Sequence, residues 1–356
     1  MVFPVTFTTV LLVSLVSLLL GAVWALTVGA AGKWRFELFG LDFGLGVVLS
    51  AILIGFTFGT FGEEITFYDN LMILRKSSLM FLFGYGVLIN LGVLLLLGAI
   101  SISGVAVSFL VGMSFAAIVS AVGMHMVWPL MSPVYLGIGT LLLLAALGIA
   151  ANSHLIRTRQ RDSDLLQKAV SAGIKGKMPQ STPVKGLVLA ILGGLLIGLA
   201  QPIGIWVQTR DEIGFGAYSM GMLFAGAFIL AGPFFGLFFL NLPVQGEALS
   251  FTAWMRGTGR QHLLGIAGGA IWFGGLTALL LAAMATPKAG ASRSLVFALS
   301  RGSLVLGGLL GVILNSEFAV SPSARGQAMI AIGVAAAGLL VYGLAPALDI
   351  SILSQP

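Results

Sequence analysis

The sequence predicts an all-α integral membrane protein, ten transmembrane helices laid out as a five-plus-five inverted repeat. Three observations lead there. Of the 356 residues, 58% are apolar and 8% charged, against roughly 45–50% and about 25% in a soluble domain. The mean hydropathy of +1.07 describes more apolar surface than one globular core can hide from water. Apolar windows bounded by charge or proline then recur at close to the ~20 residues a bilayer asks of a helix.

In chain order the windows are 5–30, 39–61, 77–98, 101–124, 134–153, 184–206, 217–240, 262–284, 294–316 and 325–345. The first has no Lys or Arg before it and no small-residue cleavage site after it, so it reads as a span rather than a signal peptide. The third and fourth almost touch between Ile100 and Ser103. The fifth runs into a basic stretch expected to be a loop. The predicted organisation is a first five-helix repeat (1–153), a basic loop (154–186) and a second five-helix repeat (187–356). An odd number of spans per half turns the second half upside down relative to the first. One pair of segments supports this: Gly86-Val-Leu-Ile-Asn90-Leu-Gly92 reads like Gly269-Ala-Ile-Trp-Phe273-Gly-Gly275. Glycines four apart, such as Gly194/Gly198 and Gly265/Gly269, predict close helix packing.

Lys and Arg gather after the odd-numbered spans. The 154–186 stretch alone carries Arg157, Arg159, Arg161, Lys168, Lys175, Lys177 and Lys185, while the other side holds Arg75, Lys76, Arg210, Lys288 and Arg293. Positive charge marks the cytoplasmic face. The expectation is therefore a cytoplasmic 154–186 loop with both termini outside, in the cell inner (cytoplasmic) membrane. On the same ground the net charge of +6 reads as topology and not as a nucleic-acid surface. With no cysteine, disulfides, iron–sulfur clusters and thiolate zinc sites are excluded. His125, His154 and His262 have no metal-ligand spacing, and no phosphate loop is present. No cofactor, metal or catalytic residue is predicted.

A charge within hydrocarbon costs about 2.5–3.5 kcal/mol on insertion scales, so polar residues inside spans are candidates. Arg301 lies deep in the ninth window, where it faces a polar cavity or snorkels to the interface. Asn90 sits mid-span in the third, offering both a donor and an acceptor. Trp24 and Trp272 can stack a planar solute, and Thr27 lies one turn beyond Trp24. Gln201-Pro202 would interrupt the sixth helix. Asp42 and Glu317 lie near the basic face, where a carboxylate either carries a coupling proton or pairs with Arg35 or Arg325. Trp34, Trp128 and Trp206 fall near span ends and suit an aromatic belt. Glu37, Glu63, Glu64, Asp69, Asp211 and Glu212 read as solvated loop residues.

Several stretches resemble ureide permeases and their bacterial relatives in the drug/metabolite transporter superfamily, near the glucose/ribose porters and the rhamnose–proton symporter. They are Lys33-Trp34-Arg35-Phe36-Glu37-Leu38-Phe39 with Asp42; Ile102-Ser-Gly-Val-Ala-Val-Ser-Phe109; His262-Leu-Leu-Gly265-Ile-Ala-Gly268-Gly269-Ala-Ile-Trp272; and Leu299-Ser-Arg301-Gly302 through Gly311 to Glu317-Phe318. The resemblance implies a secondary transporter of a ureide, nucleobase, sugar or weak organic acid, with proton-coupled uptake and Asn90, Trp24 and Trp272 at pocket positions. The chain departs from the family in its first span (Gly21-Ala-Val-Trp24-Ala-Leu-Thr27), after Trp272, and at Arg301, Leu310 and Ser316. Those changes strip amides from the implied pocket, so a neutral or weakly acidic solute is expected. The resemblance alone implies import over export; a multidrug exporter of the four-helix kind would carry a carboxylate in its first span, and 5–30 has none. The rivals are a membrane enzyme acting on a lipid-linked substrate, an exporter and a structural subunit; the partners expected are a small molecule, the lipid bilayer and a coupling proton.

Overall fold

Each apolar window becomes a helix because in hydrocarbon a backbone must satisfy its own hydrogen bonds. The computed structural model describes residues 1–62, 65–172, 182–208, 214–315 and 317–348. Among the described residues there is no strand, and ten helices are long and apolar enough to cross a membrane. They are α1 (Phe7–Ala30), α2 (Phe36–Phe56), α3 (Lys76–Ser103), α4 (Val105–Val127), α5 (Pro133–Ser171), α6 (Pro183–Gly204), α7 (Ala217–Asn241), α8 (Gly259–Thr286), α9 (Arg293–Ile313) and α10 (Pro322–Pro346). The chain is a multi-pass membrane protein.

Local chemistry sets the boundaries. Thr6 and Thr258 cap α1 and α8 in reciprocal capping boxes, and Pro133 and Pro183 open α5 and α6, where a missing N–H costs nothing. The joint between α3 and α4 is a single residue, Gly104, at φ 84°, a left-handed conformation that glycine adopts without a Cβ penalty.

The basic stretch after the fifth span departs from expectation. Residues 154–171 continue α5, giving a helix of 39 residues. At 1.5 Å per residue it is about 58 Å long, well beyond a hydrocarbon core of ~30 Å. Positions 173–181, with Lys175 and Lys177, lie outside the described residues, as do Glu63, Glu64, Arg210, Asp211, Glu212 and Ser316.

Packing runs in matched pairs: α3 on α6 and α1 on α8; α2 on α8 and α7 on α3; α4 on α6 and α9 on α1; α2 on α7; α5 on α10. One apolar core joins α1, α2, α3, α7 and α8, and a second joins α4, α5, α9 and α10. The N-terminus shares one end with the link at 57–75 (Val2 N–H to the Phe58 carbonyl, 2.8 Å). We call this the terminal end. At the opposite, basic end Arg35 donates to the Glu247 carbonyl at 2.6 Å.

The α2–α8 crossing is the closest. A Cβ on Gly46 would strike the Ile266 carbonyl, and one on Gly269 the Phe43 carbonyl. Gly269→Val is therefore expected to pry α8 from α2, at about 1–3 kcal/mol of overpacking. Thermal unfolding in detergent should show a clear loss of Tm, whereas Gly326→Ala, which meets open space, should leave it unchanged.

Candidate functional site: a buried arginine between the helices

Pro202 begins the chain of causes. It has no N–H for the Gly198 carbonyl four residues earlier, and α6 breaks beside it, one segment ending at Gly198 and the next opening at Ala200. The freed carbonyl accepts the Ser120 hydroxyl of α4 at 2.6 Å. Ser120 Oγ in turn accepts Arg301 Nη2 at 2.7 Å, and the same nitrogen reaches Gln201 Oε1 at 2.8 Å. The Arg301 guanidinium also lies 5.6 Å from the Phe297 ring. Arg301 is 5% exposed and points inward, so it does not snorkel.

These contacts bring only neutral oxygens to the charge. Arg301 Nε and the neighbouring Ser300 Oγ are buried without any partner. Both residues line a central cavity of about 60 Å³ walled by Trp24, Trp272, Ile89, Leu96, Ile197 and Met113. A buried guanidinium without a counter-charge carries a desolvation penalty of several kcal/mol.

The tryptophans stand where the sequence puts them, on the cavity wall. On its basic-end side they belong to an aromatic stack: Trp24 contacts Phe43 and Phe109 at 5.5 and 6.0 Å, and Trp272 contacts Phe43 and Phe228 at 5.7 and 5.8 Å. Thr27 is not on the cavity; its hydroxyl bonds the Trp24 carbonyl at 2.6 Å and packs on Gly268. Gln201 stands behind Arg301 and lines a separate pocket toward the terminal end, with Trp128, Thr286 and Arg293.

Asn90 belongs elsewhere, away from Trp24 and Trp272, with which the resemblance groups it. It lines a cleft of about 600 Å³ between α2, α3 and α7, walled by Gly40, Val48, Ile229, Pro233 and Trp254. Its Nδ2 is buried and unpaired. Helix rotation explains the difference: Ile89, one position earlier, takes the face toward Arg301.

The two carboxylates have different surroundings. Asp42 is fully buried and takes N–H bonds from Trp34 (3.1 Å) and Trp254 (2.8 Å), with His262 Nδ1 at 2.8 Å. It pairs with His262 and not with Arg35, which binds Glu37 at 2.7 Å. Trp34 is thus an Asp42 partner as well as an interfacial ring, and Glu37 is buried rather than solvated. The sequence reading missed Trp254 and His262 as partners because they come from a distant link and helix.

Glu317 caps α4. Its carboxylate accepts the Val105 and Ala106 N–H groups at 2.6 and 3.0 Å, with Arg157, not Arg325, at 3.8 Å. These are orphan donors of a helix N-terminus, where negative charge is favoured. Burial nevertheless holds the Glu317 carboxyl above its ordinary value, against the pull of those N–H groups and Arg157.

The fold and cavity define a multi-pass helical membrane protein with a charged centre between its helices. No protein-family model matches the chain, and no curated protein does. The chain is similar to a solved structure described as "Crystal structure of protein", 17% identical, covering 96% of this chain and 99% of that one at a TM-score of 0.53. That likeness concerns the fold alone.

A carboxyl raised in the folded state favours its protonated form there. Its share of stability is present at acid pH and fades as the pH rises through the raised value. Against Glu317→Gln, the parent should therefore lose relative stability as the pH rises from the ordinary carboxylate range through the raised value, a trend that paired thermal melts will read. A parent that gains over this range would contradict the dominance of burial.

Proposed function

We propose that this chain is a secondary transporter of a small polar metabolite, working by alternating access between two inverted five-helix halves. The observation that carries the proposal is the partner-poor Arg301 in a central cavity contributed by both halves. A charge this deep in a membrane protein is retained for a ligand or ion path by default.

The repeat is supported by residue correspondence. At the offset that aligns Gly86 with Gly269, Ile89 pairs with Trp272 and Leu96 with Leu279, and all four line the cavity. At a second offset Gly21 pairs with Ile197 and Trp24 with Ala200, again all on the cavity wall. The matched helix pairs have the same symmetry, and both α1 and α6 are interrupted, near Trp24 and Leu199. Broken helices meeting at the midplane between inverted repeats are a transporter architecture.

Asp42 is the coupling group in this reading. It joins α2 of the first half to α8 and the 7–8 link of the second, closing the basic end below the aromatic stack. Protonation would remove the charge that holds two indoles and an imidazole. Glu317, occupied as a helix cap, has a structural role instead. The basic end faces the cytoplasm of the inner membrane, following the Lys and Arg distribution, and the ureide-permease resemblance favours uptake.

Proteoliposomes under an imposed pH gradient test this with a panel of sugars, nucleobases, ureides and organic acids. We expect gradient-driven accumulation of one class. Asp42→Asn should flatten the pH dependence of uptake while leaving ligand binding in place. Turnover of a lipid-linked substrate without solute movement would replace the transporter by a membrane enzyme. A reporter fused at Ser171 should read as cytoplasmic.

A further inference from the structure

We infer that the central cavity is a site for a small monoanion of the carboxylate class, held by the Arg301 guanidinium and the Ser300 hydroxyl. This rests on the transporter reading above and narrows its substrate. Four observations converge on it.

The first is the missing counter-charge. Helices α1, α3, α4, α6 and α8 surround Arg301 with Ser17, Tyr85, Ser120, Gln201 and Trp272, all formally neutral at neutral pH. No Asp or Glu lines the cavity among the described residues. A mobile anion is the partner that the fold leaves out.

The second is the pair of orphaned donors, Arg301 Nε and Ser300 Oγ, each buried and unbonded on a residue that lines the cavity. Nη2 is already engaged by Ser120 and Gln201, which fix the guanidinium plane. The remaining Nε–H offers a carboxylate oxygen one charge-assisted hydrogen bond, and the hydroxyl adds a further donor.

The third is size. A volume of about 60 Å³ holds a few water-sized groups, which fits a carboxylate with a short chain. Sugar and nucleobase rings are too large for the cavity in this conformation.

The fourth is the route. Toward the terminal end, Arg293 lines both a surface pocket with Pro129, Thr286 and Gly290 and the deeper pocket that ends on Gln201. Its guanidinium is held 3.7 Å over the Trp128 ring. Gln201 then hands on to Arg301. Neither pocket carries a carboxylate among its described lining residues, so the approach is electropositive and attracts anions.

The test uses the purified full-length protein in sodium gluconate, an anion too large for the cavity. Formate, acetate and benzoate are compared with the neutral isosteres formamide and acetamide by calorimetry and thermal shift. Formate and acetate should bind saturably and raise Tm, acetamide at least about tenfold more weakly, and benzoate not at all. Arg301→Gln should abolish the preference of acetate over acetamide. Should that variant not fold, Arg301→Lys should weaken but keep the preference, and Ser300→Ala should weaken acetate binding alone. Equal binding of acetate and acetamide, or acetate binding indifferent to every one of these substitutions, overturns the anion site.

Labelled-acetate exchange in proteoliposomes, in excess of protein-free vesicles, separates the two readings. Acetate binding without exchange upholds the site and overturns the transporter. Flux of a neutral metabolite without acetate binding does the reverse. Neither binding nor flux overturns both.

Discussion

A backbone carbonyl deprived of its helical partner in a water-poor interior must find another donor, and this structure is organised around one such debt. Pro202 strips the Gly198 carbonyl of its N–H, Ser120 supplies the replacement, and Arg301 then takes Ser120 and Gln201 as its acceptors. Three helices are thereby tied at one height by a proline. Substituting Pro202 would give Gly198 an intrahelical donor and release Ser120, with Arg301 losing orientation although nothing touching it had changed.

The same rule accounts for the two ends. At the basic end, Asp42 collects N–H donors from a link, a short helix and α8, and Glu317 occupies the bare N-terminus of α4. Both are buried carboxyl groups whose oxygens are met by several donors, which is how such a group is tolerated out of water. Arg301 is the exception, with donors left over and no anion in reach. That asymmetry separates the centre of the molecule from its structural carboxylates.

Much of this was legible in the sequence. Hydropathy located all ten spans, because bilayer thickness dictates their length. Insertion cost singled out Arg301, and the family resemblance put Trp24 and Trp272 at pocket positions. The rest depended on information that spacing does not carry. A basic composition says nothing of backbone conformation, so residues 154–171 read as a loop although Arg, Lys, Gln and Leu are good helix formers. Asn90 was recognised as buried, but its azimuth, one residue from Ile89, turns it into another cleft. Asp42 and Glu317 look alike in the sequence; only the donors brought from elsewhere in the chain distinguish a closing group from a helix cap. The Gly198-to-Pro202 interval was a signal for the Ser120 bond, had the freed carbonyl been followed.

Gly104 has a mechanical meaning. With one residue between α3 and α4, the two helices have no slack, and a tilt of either is passed to the other across a single α-carbon. Glu317 clamps that seam from the link between α9 and α10, and Arg157 clasps it from α5 through the Ser103 carbonyl at 2.6 Å. The elbow between α3 and α4 is thus gripped twice, once from the 9–10 link and once from α5, so a tilt of either helix is felt at both clamps.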